Sequence, residues 1–257
     1  MPVTLPAHAA AVLPFWRHFP SGWARAALVV GACTPDLSYI YLMRGRYLAH
    51  LVPDCFVFGV PVGLGVLGLM QGLVLPALRR GLPEWRGVQW GRYALTSPPP
   101  RTVLGWGAVV VALVLGIGTH VLWDGLTHRT MWPARGLYAH VLVSLGSREL
   151  PLTRVLQHLS SVGGSLVVLG VLARRYRHLA PVPGGSREDG LRLLVPSVVG
   201  ACGGLALRLG HYESMGALEA QVWWAFWPAF TGGLAGLVLG CALVRWRARH
   251  GQAIKRS

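Results

Sequence analysis

Long apolar stretches alternate along this chain with short connections rich in arginine. Residues 55–78, 102–123, 155–173 and 220–244 contain no Asp, Glu, Lys or Arg. At ~1.5 Å of rise per helical residue, each is long enough to cross most or all of a ~30 Å hydrocarbon core. A fifth stretch, 191–209, has Arg192 and Arg208 close enough to its ends to snorkel. A sixth, 22–43, is interrupted by Pro35 and Asp36, and residues 5–19 before it read as a short helix ending in the turn Phe19-Pro20-Ser21-Gly22. The pattern predicts an all-α fold, a polytopic transmembrane helical bundle of about six spans plus a short N-terminal helix. It is expected to form a single membrane domain over 1–257, with an N-terminal hairpin at 5–43, spans near 55–78, 102–126, 155–173, 191–209 and 220–244, and a tail at 245–257.

Composition supports lipid as the solvent. Only 13% of the residues are charged and 53% are hydrophobic, against roughly 25% charged in an average soluble domain. A water-facing surface cannot be made from so few charges. The net charge of +15 does not indicate a nucleic-acid partner, because the arginines fall between apolar runs and not along one face. They orient the chain instead. The connections 79–101 and 174–192 and the tail concentrate Arg and Lys and are expected on the cytoplasmic side, which puts 44–54, 124–154 and 210–219 outside. The N-terminal hairpin then enters from within, and the C-terminus is cytoplasmic. No cleavable signal is expected at the N-terminus, where Pro6 and Pro14 interrupt the apolar run. Cys33, Cys55, Cys202 and Cys241 form no C-x-x-C pair and read as small buried apolar residues.

Chemistry concentrates in His120-x-x-x-Asp124-x-x-x-His128, at the outer end of the 102–126 span. Steps of four residues turn a helix by ~40° and advance it ~6 Å, so the three side chains form one tilted stripe facing one neighbour. The two histidines stand ~12 Å apart along the axis, too far for one ion to take both easily. Asp124 is placed either to share an ion with His120 or to bridge two ions. His128, furthest along the stripe, is a metal candidate that also suits a role in orienting a ligand. Asp36 is a carboxylate inside an apolar segment, which normally faces the bundle interior with a partner. If 5–19 and 22–36 are antiparallel, His8 and Asp36 stand ~16 and ~21 Å above the turn, near one depth. His50 precedes the second segment and His158 begins the fourth, so the candidate metal ligands are His8, Asp36, His50, His120, Asp124, His128 and His158.

Several of these residues carry a resemblance. Leu5-Pro6-Ala7-His8, Pro35-Asp36, Ala49-His50, the run from His120 to His128, and Leu156-Gln157-His158 resemble, as an ordered set, the uncharacterised bacterial membrane family catalogued as domain of unknown function forty-one eighty-four. In that family the first histidine usually stands in Ser-His-Pro-Ala and the second follows Thr, where this chain has Pro6-Ala7-His8-Ala9 and Ala49. The order of motifs is also similar to membrane-bound metal-dependent hydrolases. The resemblance implies a bacterial cytoplasmic membrane protein and a hydrolase of a phosphoester-bearing lipid, with zinc as the cofactor and His120 and Asp124 at its catalytic centre. Arg129, Arg135 and Arg148 in the outer loop are placed to hold a phosphate. Three other readings stand beside it: a transporter or ion-translocating protein, a haem carrier using His120 and His158, and a structural protein whose polar residues only fix helix packing.

Overall fold

The structure is a computed structural model and describes residues 5–41, 52–82, 84–85, 88–94, 96–146, 148–179, 185–209 and 218–254. The helices are α1 (Leu5–Val12), α2 (Gly22–Tyr41), α3 (Val52–Val57), α4 (Gly59–Leu69), α5 (Leu75–Gly81), α6 (Val103–Thr127), α7 (Ala134–Leu137), α8 (Leu152–Tyr176), α9 (Arg187–Leu209) and α10 (Leu218–Ile254). Cys55–Gly81, Val103–Thr127, Leu152–Tyr176, Arg187–Ala206 and Pro228–Ala248 are long and apolar enough to cross a membrane, which makes this a multi-pass membrane protein. Helix α2, the expected sixth span, is 20 residues long but is not among them. Arg25, Pro35 and Asp36 lower its apolar character.

Two departures from helix lie in the connections. Glu84–Trp85 (β1) pairs antiparallel with Val88–Gln89 (β2), and Leu142–Leu145 (β3) pairs antiparallel with Arg148–Pro151 (β4). The second hairpin turns at Gly146, whose φ of 63° is a left-handed conformation that costs glycine little. Both hairpins stand where the periodicity predicts only loops.

By its contacts the chain forms two compact units. The first comprises residues 1–67 and 97–177, the second 68–96 and 178–257.

In the first unit, Val12, Trp23, Ala24, Ala27, Leu28, Ala32, Cys55, Leu67, Val109, Ala112, Leu113 and Ile117 form the apolar core. Helices α2 and α6 cross closely, because a Cβ on Gly31 would collide with the Leu113 carbonyl and one on Gly116 with the Leu28 carbonyl. At the start of both helices, Trp23 Nε1–H donates to the Ser97 carbonyl at 2.9 Å, and the Trp23 and Trp106 rings meet edge to face. The N-terminal arm folds back as the sequence suggests, although it is not one helix. Pro14 cannot donate a backbone hydrogen bond, so α1 ends at Val12 and Leu13–His18 tightens into a 3-10 turn. Helix α1 then seats on α8, where a Cβ on Gly164 would stand 2.7 Å from the Ala7 Cα. The Arg175 guanidinium lies over the Trp16 ring at 5.5 Å and fixes the other end of the arm.

In the second unit, α9 and α10 pack backbone to backbone. Cβ atoms on Gly200 and Gly232 would each strike the other glycine's carbonyl, and Gly204, Gly236 and Gly240 meet Pro228, Pro196 and Arg192 in the same way. Val74, Ala77, Leu193, Cys241 and Val244 form a small core beside this ladder. Ser186 caps α9 by accepting from the Asp189 N–H at 3.0 Å. Arg247 reaches Glu188 at 2.6 Å, joining α10 to the first turn of α9. Of the cysteines read as buried, Cys55 and Cys241 are buried, whereas Cys202 is exposed on α9.

Candidate metal centre

The buried face of α6 runs through Val109, Ala112, Leu113, Gly116, Ile117, His120, Asp124 and Thr127, positions that recur three or four residues apart along one side of the helix. One helical face therefore passes from apolar contact, through the glycine crossing, into a polar site. The close approach at Gly116 has a direct consequence: His120 Nδ1–H donates to the Ala32 carbonyl of α2 at 2.8 Å. A carbonyl can only accept, so the neutral imidazole keeps its lone pair on Nε2. That nitrogen faces Asp124 Oδ2 at 3.2 Å and Asp36 Oδ1 at 3.9 Å.

His8 arrives from α1 and stacks on His120, with ring centroids 3.9 Å apart and planes 25° from parallel. Its Nε2 lies 3.6 Å from Asp124 Oδ1 and 3.8 Å from Asp36 Oδ2. Among the described residues, His8, His120 and Asp124 form the group whose ligand atoms all lie within 4.8 Å of one another, and all three are buried. Asp36, 17% exposed, stands as a fourth donor against both imidazoles.

These spacings suit a shared ion. A tetrahedral ion bonded to nitrogen and oxygen at ~2.0–2.1 Å holds its ligand atoms ~3.3–3.4 Å apart. The imidazole–carboxylate distances of 3.2 to 3.9 Å lie around that edge length but use both oxygens of each carboxylate, and one ligand atom each from His8, His120 and Asp124 lie within 4.8 Å of one another. Asp36 and Asp124 each face both imidazoles. A divalent cation held there would offset the two carboxylates while the histidines stayed in their neutral, ligating form. The donor set of two imidazoles and two carboxylates fits zinc among the common ions.

The remaining candidates separate. His128, partly exposed, places Nδ1 3.5 Å from Asp124 Oδ1, so it touches the cluster at the outer edge of the carboxylate. His158 is exposed and is not brought to the cluster. The reason is helical phase: the face of α8 carrying the buried Thr153 and Ser161 passes through Gln157, and His158 lies one step, ~100°, around from it. His50 lies outside the described residues. Arg129, in the turn that follows α6, and Arg135, on α7, are exposed.

The sequence reading passed over two contributors. Ala32 offers only a backbone carbonyl, and no side-chain pattern announces that. Gln157 was legible in principle, since Thr153, Gln157 and Ser161 make a polar stripe at four-residue spacing along one face of α8.

The family described as a domain of unknown function (DUF4184) matches residues 1–246. No curated protein and no solved structure matches the chain. Its helices, its buried histidines and aspartates and all but the last turns of its C-terminal helix fall within that one match, and the chain belongs to the DUF4184 family.

Proposed function

We propose that this protein is a membrane-embedded, metal-dependent hydrolase acting on a phosphoester-bearing lipid, with His8, His120, Asp124 and Asp36 as the residues that hold a zinc-like ion. One observation carries the reading. Imidazoles from α1 and α6 meet carboxylates from α2 and α6 at 3.2 to 3.9 Å, and His8, His120 and Asp124 among them are buried.

When bound, such an ion supplies Lewis acidity toward a phosphoryl oxygen and acidifies water at neutral pH. The protein's own residues do the rest. The Ala32 carbonyl holds His120 in the ligating tautomer, and the stacked His8 ring completes a dry wall on one side. Asp36 and His128 are more exposed than the other members, so substrate and water approach between them. Arg129 and Arg135 stand exposed where a lipid phosphate would arrive. By the placement of arginine in the connections and tail, the site lies toward the outer face of a bacterial cytoplasmic membrane and the C-terminus lies inside. Lipid would then present its headgroup without leaving the bilayer.

The test is elemental analysis and a visible spectrum of the detergent-purified full chain, with Asp124→Asn and His120→Ala alongside. Release of a phosphorylated headgroup from mixed lipid micelles is measured on the same samples. Stoichiometric zinc and headgroup release in the wild type, both lost in the two variants, is the expected result. Absence of metal, or a haem absorption band, overturns the reading. Zinc bound without hydrolysis, but carried across a vesicle membrane, would replace it with a transporter.

A further inference from the structure

We infer that Gln157 is a positioning residue, acting on the metal centre through His128 and so making His128 a support of Asp124 and not a ligand. The inference rests on the metal reading above and names a residue of α8 that it does not use.

The hydrogen-bond directions around His128 decide the matter. Its Nδ1 lies 3.3 Å from Thr127 Oγ1 and 3.5 Å from Asp124 Oδ1. The Thr127 hydroxyl spends its only proton on the Trp123 carbonyl at 3.1 Å, and an ionised carboxylate has none to give. Both neighbours of Nδ1 are therefore acceptors, and Nδ1 carries the hydrogen. In the neutral ring the lone pair then sits on Nε2, which faces the Gln157 side-chain amide nitrogen at 3.2 Å. That amide is the one group in this chain of contacts that donates to the ring, and it selects the tautomer. An imidazole whose free lone pair is taken by Gln157 has none for an ion. What it offers the centre is its Nδ1 edge, 3.5 Å from Asp124 Oδ1, while Asp124 Oδ2 stands against His120 Nε2 at 3.2 Å.

The same contact ties α8 to the end of α6, one turn along from the buried Thr153 and Ser161. Gln157 is itself held in place on a packed helix face, as a residue that must aim an amide requires.

The experiment is zinc affinity of the full chain in detergent, by competition with a chromophoric chelator. It compares wild type, Gln157→Met, His128→Leu, His128→Asn and His158→Ala, with apo-protein thermal unfolding as the check on folding. Gln157→Met and His128→Leu are expected to weaken zinc binding by ~10–100-fold. His128→Asn restores an amide N–H near the place of Nδ1 and is expected to recover most of that loss. His158→Ala, exposed and one residue away, is expected to bind as the wild type does. X-ray absorption should count two imidazoles per zinc in the wild type and in His128→Asn. Full affinity in Gln157→Met overturns the inference, and so does a third imidazole that disappears in His128→Asn or an Asn variant as weak as the Leu variant. A wild type that binds no zinc overturns the metal reading as well, which separates the two failures.

Discussion

In the first unit, α2 and α6 touch backbone to backbone at Gly31 and Gly116, and one turn further on the same face of α6 carries His120 and then Asp124. In the second unit, α9 and α10 touch in the same manner at Gly200, Gly204, Gly232, Gly236 and Gly240, and the contact continues at every fourth residue. Both contacts follow from the small size of glycine, since helices in lipid gain by close packing and not by expelling water. The difference lies in how far each contact extends. A single crossing lets the helices diverge, so imidazoles and carboxylates enter the space beyond it. A continuous ladder fills its own interface with backbone, and its ionised groups, Glu188, Asp189, Arg192 and Arg247, stand at the helix ends. The second unit's contact is filled by backbone alone, whereas the first leaves room for the histidine–aspartate cluster.

The comparison is broken most directly at Asp124. Asp124→Asn keeps the shape but removes a ligating charge, and it should take bound zinc from stoichiometric to none by elemental analysis. Apo-protein thermal unfolding should be unchanged or raised, because the substitution relieves the cost of a buried charge. A large fall in apo stability would instead mark Asp124 as a packing residue.

Next in size are the paired glycines. Gly116→Leu and Gly232→Leu each force a side chain into a neighbouring carbonyl, and each should cost at least ~1–3 kcal/mol of stability, read by unfolding in detergent. The two should part company on zinc. Gly116→Leu pushes the Ala32 carbonyl away from His120 and should lose metal, while Gly232→Leu should retain it in whatever fraction stays folded. Equal loss from both would erase the distinction between the two contacts.

Smaller effects sharpen the picture. Arg175→Gln removes the cation over Trp16 and should cost ~0.5–1 kcal/mol, with only a slight change in zinc affinity, since Gly164 still seats α1. Arg247→Gln removes an exposed ion pair and should cost less than about 1 kcal/mol, an effect that fades as salt is added. An effect of Arg247→Gln on zinc would be unexpected and would tie the second unit to the metal.

How much of this was legible beforehand varies by residue, for physical reasons. Asp36 and the His120 to Asp124 pair were readable because a titratable side chain in an apolar run is costly in lipid and must have a use. His8 was readable only through the turn at 19–22, which folds it back toward Asp36. His158 shows the limit. It stood beside the correct helix face, but one residue of phase separates an exposed imidazole from Gln157, whose amide contacts the cluster through His128. The glycine ladder was present in the spacing of Pro196, Gly200, Gly204 and of Pro228, Gly232, Gly236, Gly240, and it becomes readable once the two helices are known to be partners.

What the order of residues determined alone is the solvent and the secondary structure: uncharged runs long enough to span lipid must satisfy their backbones internally, and helices do so. It also determined which side chains are chemically able to hold an ion. Which of them meet was decided only in three dimensions. Coordination depends on gaps of a few ångströms between atoms far apart in the chain, and those gaps are set by where glycines let backbones touch and by which way each helix is turned. A carbonyl on Ala32 and an amide on Gln157 come to bear on the histidine–aspartate cluster only after that packing is complete.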